Sequence, residues 1–186
     1  MRLEVKYLSL PLMLFFFLFS GCLVSEITEY KLKLNDDGKS GTLTIILHNL
    51  QSDATGSEGQ EHDFDELMKN WKSDQYLLDQ MNKGAYVKER KVAVKRGTLV
   101  WTENLLFSDV SKLFPEFAWD DTVRIPFKDA EAVVVETNGK ITKEKDKIIV
   151  WWEPNTRYFE LQTKLREFKP TSNFLKRFHA YTKKSK

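Results

Sequence analysis

Cysteine is almost absent from this chain, with Cys22 the only one in 186 residues. A disulfide framework within the chain and a multi-cysteine zinc site are therefore excluded. Histidine is nearly as scarce. His48, His62 and His179 fall in a strand-like segment, a polar loop and the C-terminal region, and no pair has metal-site spacing. His48 alternates with Ile46 and Leu50 and reads as a core-edge residue rather than a ligand or base. Nucleotide and nucleophile motifs are missing as well: there is no G-x-S-x-G, no P-loop and no G-x-G-x-x-G. Ser108 with Lys112 and Ser172 with Lys176 stand four apart rather than three, without the companion motifs of penicillin-binding enzymes. A large charge of one sign is lacking too, since the formal net charge is +2, which argues against nucleic acid as a partner.

The remaining polar groups have structural explanations. Asp53, Glu58, Glu61, Asp63, Asp65 and Glu66 crowd a Gly-containing stretch, yet their spacing matches no calcium loop. Asp36-Asp37-Gly38 is a turn signal. Asp120 and Asp121 are adjacent, so on an extended chain they point apart and a turn is preferred over a carboxylate pair. Trp151-Trp152 put one ring on each face of a strand, and only an exposed one could stack on a sugar. No catalytic residue, metal site or cofactor is expected, and the chain is not read as an enzyme.

What the chain has in abundance is apolar sequence near its start. Arg2 and Lys6 precede an apolar run from Tyr7 through Phe19, laid out as an export signal and short for a membrane span. The small residues Ser20 and Gly21 then stand directly before Cys22. This "FSGC" resembles the lipobox of bacterial lipoprotein precursors, with Phe19 where Leu is usual. The resemblance implies cleavage between Gly21 and Cys22, residues 1–21 being the signal peptide. It also implies a diacylglycerol on the Cys22 thiol, which leaves the mature chain without a free cysteine. Two acyl chains suffice for stable anchoring where one gives marginal binding. By the family's sorting rule, Leu23 rather than an aspartate after the cysteine favours the outer membrane, with the inner membrane as the alternative. An uncleaved helix from Tyr7 to Val24 and a signal cut without lipidation compete with this reading. Loss of Arg2, Lys6 and Glu4 leaves 27 basic against 26 acidic residues, a balance of +1.

Residues 22–26 are expected to be the tether and 27–168 a single domain. "TEYKLKL" alternates as a strand, "NDDGKSG" turns, and "TLTIILHNL" starts the next strand. The run "YKLKLNDDGKSGTLTI" also resembles the opening of uncharacterised bacterial lipoproteins, which carries over no activity. A long helix is predicted from Asp63 as N-cap, with Glu66 at the capping-box position and Gly84 as terminator. Phe64, Leu67, Met68, Trp71, Leu78 and Met81 form its core stripe. Further strands are expected around Arg96-Gly97, over Thr122 to Phe127 as an edge, and on both sides of a hairpin at Asn138-Gly139. The fold class is α+β: a mostly antiparallel sheet of about six to eight strands with one long helix packed on it.

Residues 169–186 form a basic tail, with a short amphipathic helix bearing Phe174, Phe178 and Tyr181 on one face. Lys176, Arg177, Lys183 and Lys184, with Phe174 and Phe178, are candidate membrane-surface contacts, because cationic amphipathic segments sit against anionic head groups. The expected function is a membrane-anchored envelope lipoprotein with a non-catalytic binding or assembly role, its partners being the membrane and another envelope protein. The alternative is a carrier holding a lipid or other apolar ligand between sheet and helix. An envelope hydrolase is the third and weakest reading.

Overall fold

In β1 (Leu23–Leu34) Tyr30, Leu32 and Leu34 alternate with Glu29, Lys31 and Lys33, and in β2 (Gly41–Ser52) Leu43, Ile45 and Leu47 alternate with Thr42, Thr44 and Ile46. A period of two sends each set to opposite faces of a pleated strand. The computed structural model, which describes residues 23–114, 123–169 and 174–184, pairs them antiparallel from Leu23↔Ser52 to Leu34↔Gly41. Their turn is the predicted one. Gly38 takes φ +67°, and the Asp37 carboxylate accepts from the amides of Lys39 and Ser40 at 2.8 and 2.9 Å. The expected tether has no free length on the domain side, because Leu23 to Glu26 are already the first residues of β1.

β3 (Ala85–Lys95) and β4 (Thr98–Phe107) form a second hairpin. Arg96 at φ 50° and Gly97 at φ 76° supply the two left-handed residues that such a tight turn requires. With β6 (Ala132–Thr137) and β9 (Tyr158–Leu165), these strands make a six-stranded antiparallel sheet in the order β3-β4-β2-β1-β9-β6. β5 (Val123–Lys128), β7 (Lys140–Glu144) and β8 (Lys147–Trp152) form a separate sheet in the order β5-β8-β7. The α+β class therefore stands, while among the described residues nine strands in two sheets replace the single sheet expected.

The second correction concerns Asn138-Gly139, which joins β6 in the large sheet to β7 in the small one instead of closing a hairpin. Asn138 Oδ1 accepts from Trp152 Nε1 at 2.7 Å and from the Glu160 amide at 2.8 Å, and its Nδ2 donates to the Tyr158 carbonyl at 2.9 Å. These bonds hold the chain at the junction of the two sheets. Gly139 is needed for space: a Cβ there would lie 2.7 Å from Trp152 Cε2 and 3.0 Å from the Trp151 carbonyl. The true hairpin lies one strand later, between Glu144 and Lys147, with Lys145 at φ 52°.

The single long helix is likewise two helices, α1 (Ser57–Lys72) and α2 (Asp74–Asn82). The break falls at Ser73, whose backbone is extended and whose hydroxyl accepts from the Tyr76 amide at 3.3 Å, capping α2. Asp63 is no N-cap. α1 starts six residues earlier, and Asp63 is buried inside it, accepting from the Ser52 hydroxyl and so fastening α1 to β2. Beyond the break the helical phase changes, so Leu78 and Met81 are 52% and 54% exposed instead of packed. Gly84, at φ 82°, ends the segment as predicted. A short α3 (Val110–Leu113) follows β4, and α4 (Phe174–Lys184) lies near the C-terminus.

One face of the large sheet carries both covers. Tyr76 of α2 stands edge-on to Trp101 of β4 at 6.0 Å between centroids, and Trp152 of β8 to Phe159 of β9 at 5.4 Å. Trp101 pairs with Leu47 and Phe159 with Leu32, on the side shared by Leu43 and Ile45. All but two of the described buried apolar residues, Val100 and Ala132, form one contiguous cluster running from α1 and α4 to the small sheet.

Candidate functional site

Alternation along β4 turns Leu99, Trp101, Glu103, Leu105 and Phe107 inward together, and all five are buried. Glu103 is thus a carboxyl in an apolar row, with no exposed surface. Its Oε2 accepts the Tyr76 hydroxyl at 2.9 Å. Across the β3–β4 ladder, Arg90 pairs with Glu103. The Arg90 guanidinium sits 5.2 Å from the Tyr76 ring centre and donates to the carbonyls of Asn70 and Ser73 at 2.7 and 2.8 Å. Those carbonyls end α1, where a cation complements the helix dipole.

Burial drives the Glu103 pKa up to about 7, against the opposing pull of the Tyr76 and Trp101 hydrogen bonds and the charges of Arg90 and Lys83. Tyr76 is raised in turn, by burial first and then by Glu103. A carboxyl tuned near neutrality is a common mark of function. Here Tyr76 and Arg90 beside it belong to the clamp that holds the α1–α2 corner on the sheet, and Glu103 has no exposed surface.

Between the two sheets lies a void of about 50 Å³, lined by Tyr30, Leu32, Leu43, Phe114, Val123, Ile125, Trp152, Phe159 and Leu161. The lining presents carbon, and the pocket is partly open to the surface. It sits between sheet and sheet rather than between sheet and helix.

Cys22, Gly21 and the rest of the lipobox lie outside the described residues, as do Asp120 and Asp121. His48 is turned to the outer face beside Ile46, 3.4 Å from Glu29. Leu50 does not share that face, because Asn49 at φ 54° reverses the alternation and sends Leu50 and Ser52 inward. Burial raises the Glu29 carboxyl, but Lys31 at 2.7 Å and His48 outweigh it and leave the pKa lowered. Among the described residues no cluster of His, Cys, Asp or Glu is placed to hold a metal ion, and no helix is long and apolar enough to cross a membrane.

The C-terminal segment forms the predicted amphipathic helix, with one correction. Phe174 and Phe178 are buried, so neither ring is a membrane contact. Phe174 packs on Phe64 at 5.5 Å and Phe178 on Trp71 at 6.1 Å, docking α4 onto α1. Lys176 and Lys183 are exposed, Arg177 is half-buried 3.8 Å from Glu61, and the Lys184 side chain lies outside the described residues. Of the tryptophan pair, Trp152 faces inward, while Trp151 is half-buried on the other face, donating to Thr142 at 3.1 Å with Lys140 over its ring.

Compared with the known families, the curated proteins and the solved structures, the chain matches none.

Proposed function

We propose that this protein is a lipid-anchored envelope lipoprotein whose folded domain binds or assembles without a catalytic step of its own. The observation that carries the reading is the apolar run ending in Phe19-Ser20-Gly21-Cys22, with Leu23, the next residue, already within the sheet. A cysteine bearing acyl chains would then attach to the sheet through a single peptide link, about 3.8 Å between Cα atoms. The domain would ride directly on the bilayer surface instead of on a flexible stalk. The enclosed position of Glu103 supports the non-catalytic part, since that carboxyl serves the packing of the α1–α2 corner.

The test is fractionation with mass spectrometry of the native protein and of Cys22→Ser. The native protein is expected to stay with membranes after a salt wash and to carry the mass of a diacylglycerol on Cys22. The substituted protein is expected in the soluble fraction. Membrane retention of Cys22→Ser after the wash would end the anchor reading. A lipid retained by the released protein would move the role from assembly to lipid carriage.

A further inference from the structure

The sheet register shows which surface lies beside Leu23. β1 brings Leu23 opposite Ser52. β2 and β4 pair without a shift from Gly41↔Phe107 to His48↔Val100. Past His48 the two strands are no longer paired, but β2 ends and β4 begins on this side, so the tip of the β3–β4 hairpin lies at the same end of the sheet as Leu23, with β2 between them. Lys95 and Arg96 at this tip are exposed and form no ion pair among the described residues.

We propose that this hairpin tip docks on anionic lipid head groups of the bilayer that holds the protein's own acyl chains. The inference rests on the lipoprotein reading above. Two observations select a lipid surface as the occupant. On the lipoprotein reading the acylated Cys22 directly precedes Leu23, at the same end of the sheet as the tip. The unpaired charge at the tip is cationic, and such a charge is attracted to anionic head groups within about a Debye length, near 8 Å at physiological salt. The opposite end of β1, with Lys39 in the β1–β2 turn, lies roughly 40 Å away along twelve residues of strand.

The lipidated full-length protein offers a direct test, because its only native cysteine is consumed by the anchor. Fluorophores are placed at Val94→Cys, which is 38% exposed beside the tip, and separately at Lys39→Cys. The proteins are reconstituted in phosphatidylethanolamine vesicles containing head-group spin labels, with and without phosphatidylglycerol. Quenching at Val94→Cys is expected to exceed that at Lys39→Cys several-fold, and only with phosphatidylglycerol present. Adding Lys95→Gln and Arg96→Gln is expected to lower the docked-to-undocked ratio about 30-fold, from two basic contacts of ordinary strength.

Equal quenching at the two positions overturns the proposal, and so does quenching that ignores phosphatidylglycerol or the paired substitution. Protection of the Val94→Cys label by an added envelope extract without lipid quenching assigns the tip to a protein partner and overturns it as well. A free, reactive Cys22 thiol in the parent protein removes the anchor reading itself, and the docking falls with it.

Discussion

Replacing Glu103 by glutamine keeps the shape and the acceptor for the Tyr76 hydroxyl but removes the titrating proton. In the fold this carboxyl titrates at about 7, against an ordinary value of 4.5. The unfolded chain therefore releases its proton at lower pH than the folded one. Below the unfolded value both states hold the proton and the buried acid costs nothing extra. As pH rises from about 4.5 to about 7 the folded state keeps a proton that the unfolded state has shed, so stability falls across that window and levels off above it. At 1.36 kcal/mol per tenfold, the loss reaches about 3 kcal/mol above neutrality.

Urea unfolding followed by far-UV circular dichroism, between about pH 4 and pH 8, reads this directly. The midpoint of the native protein is expected to drop relative to Glu103→Gln by roughly 1.5 M across that range, for a slope near 2 kcal/mol/M. Glu26, Glu29 and Asp129 are lowered in the fold and destabilise it as pH falls, but they are common to both proteins and cancel in the difference. Parallel midpoints at every pH would refute the reasoning, for the carboxyl would then be ionised or hydrated in the fold at no cost.

Two further substitutions test the packing. Gly139→Ala pushes a Cβ to 2.7 Å from Trp152 and is expected to cost about 1–3 kcal/mol, seen as a lower Tm with unchanged secondary structure. Phe174→Ala empties a fully buried site between α4 and α1 and is expected to cost about 3–5 kcal/mol, while Lys183→Ala on the outer side of the same helix stays within about 0.5 kcal/mol. Equal effects of these two would show that α4 is not docked.

The parts of the fold that were legible in the sequence are those decided locally. The turns at Asn35–Ser40 and Arg96-Gly97 need left-handed or Asx conformations, which few residue types adopt, so the types mark the place. The alternation of β1 and β2 and the apolar face of α4 follow from periods of two and 3.6. Glu103 was within reach as well, since it stands in phase with Leu99, Trp101, Leu105 and Phe107. Its neighbours Tyr76 and Arg90 were not, because partners across a sheet and a helix are set by register. The break at Ser73 hid for a similar reason. The apolar pattern runs through it, and the stop is enforced by Arg90 from a strand that follows.

By itself, then, the sequence determined the α+β class, the turns of the β1–β2 and β3–β4 hairpins, and the amphipathic helix at the C-terminus. Tertiary structure alone decided how the strands divide between two sheets. Asn138-Gly139 has the chemistry of a hairpin, yet Trp152, Tyr158 and Glu160 bind it and carry the chain from one sheet to the other. It also decided that Phe174 and Phe178 face Phe64 and Trp71 rather than a membrane. An amphipathic helix has an apolar side whatever covers it. Which surface buries that side depends on contacts between residues about a hundred positions apart, and no local period records them.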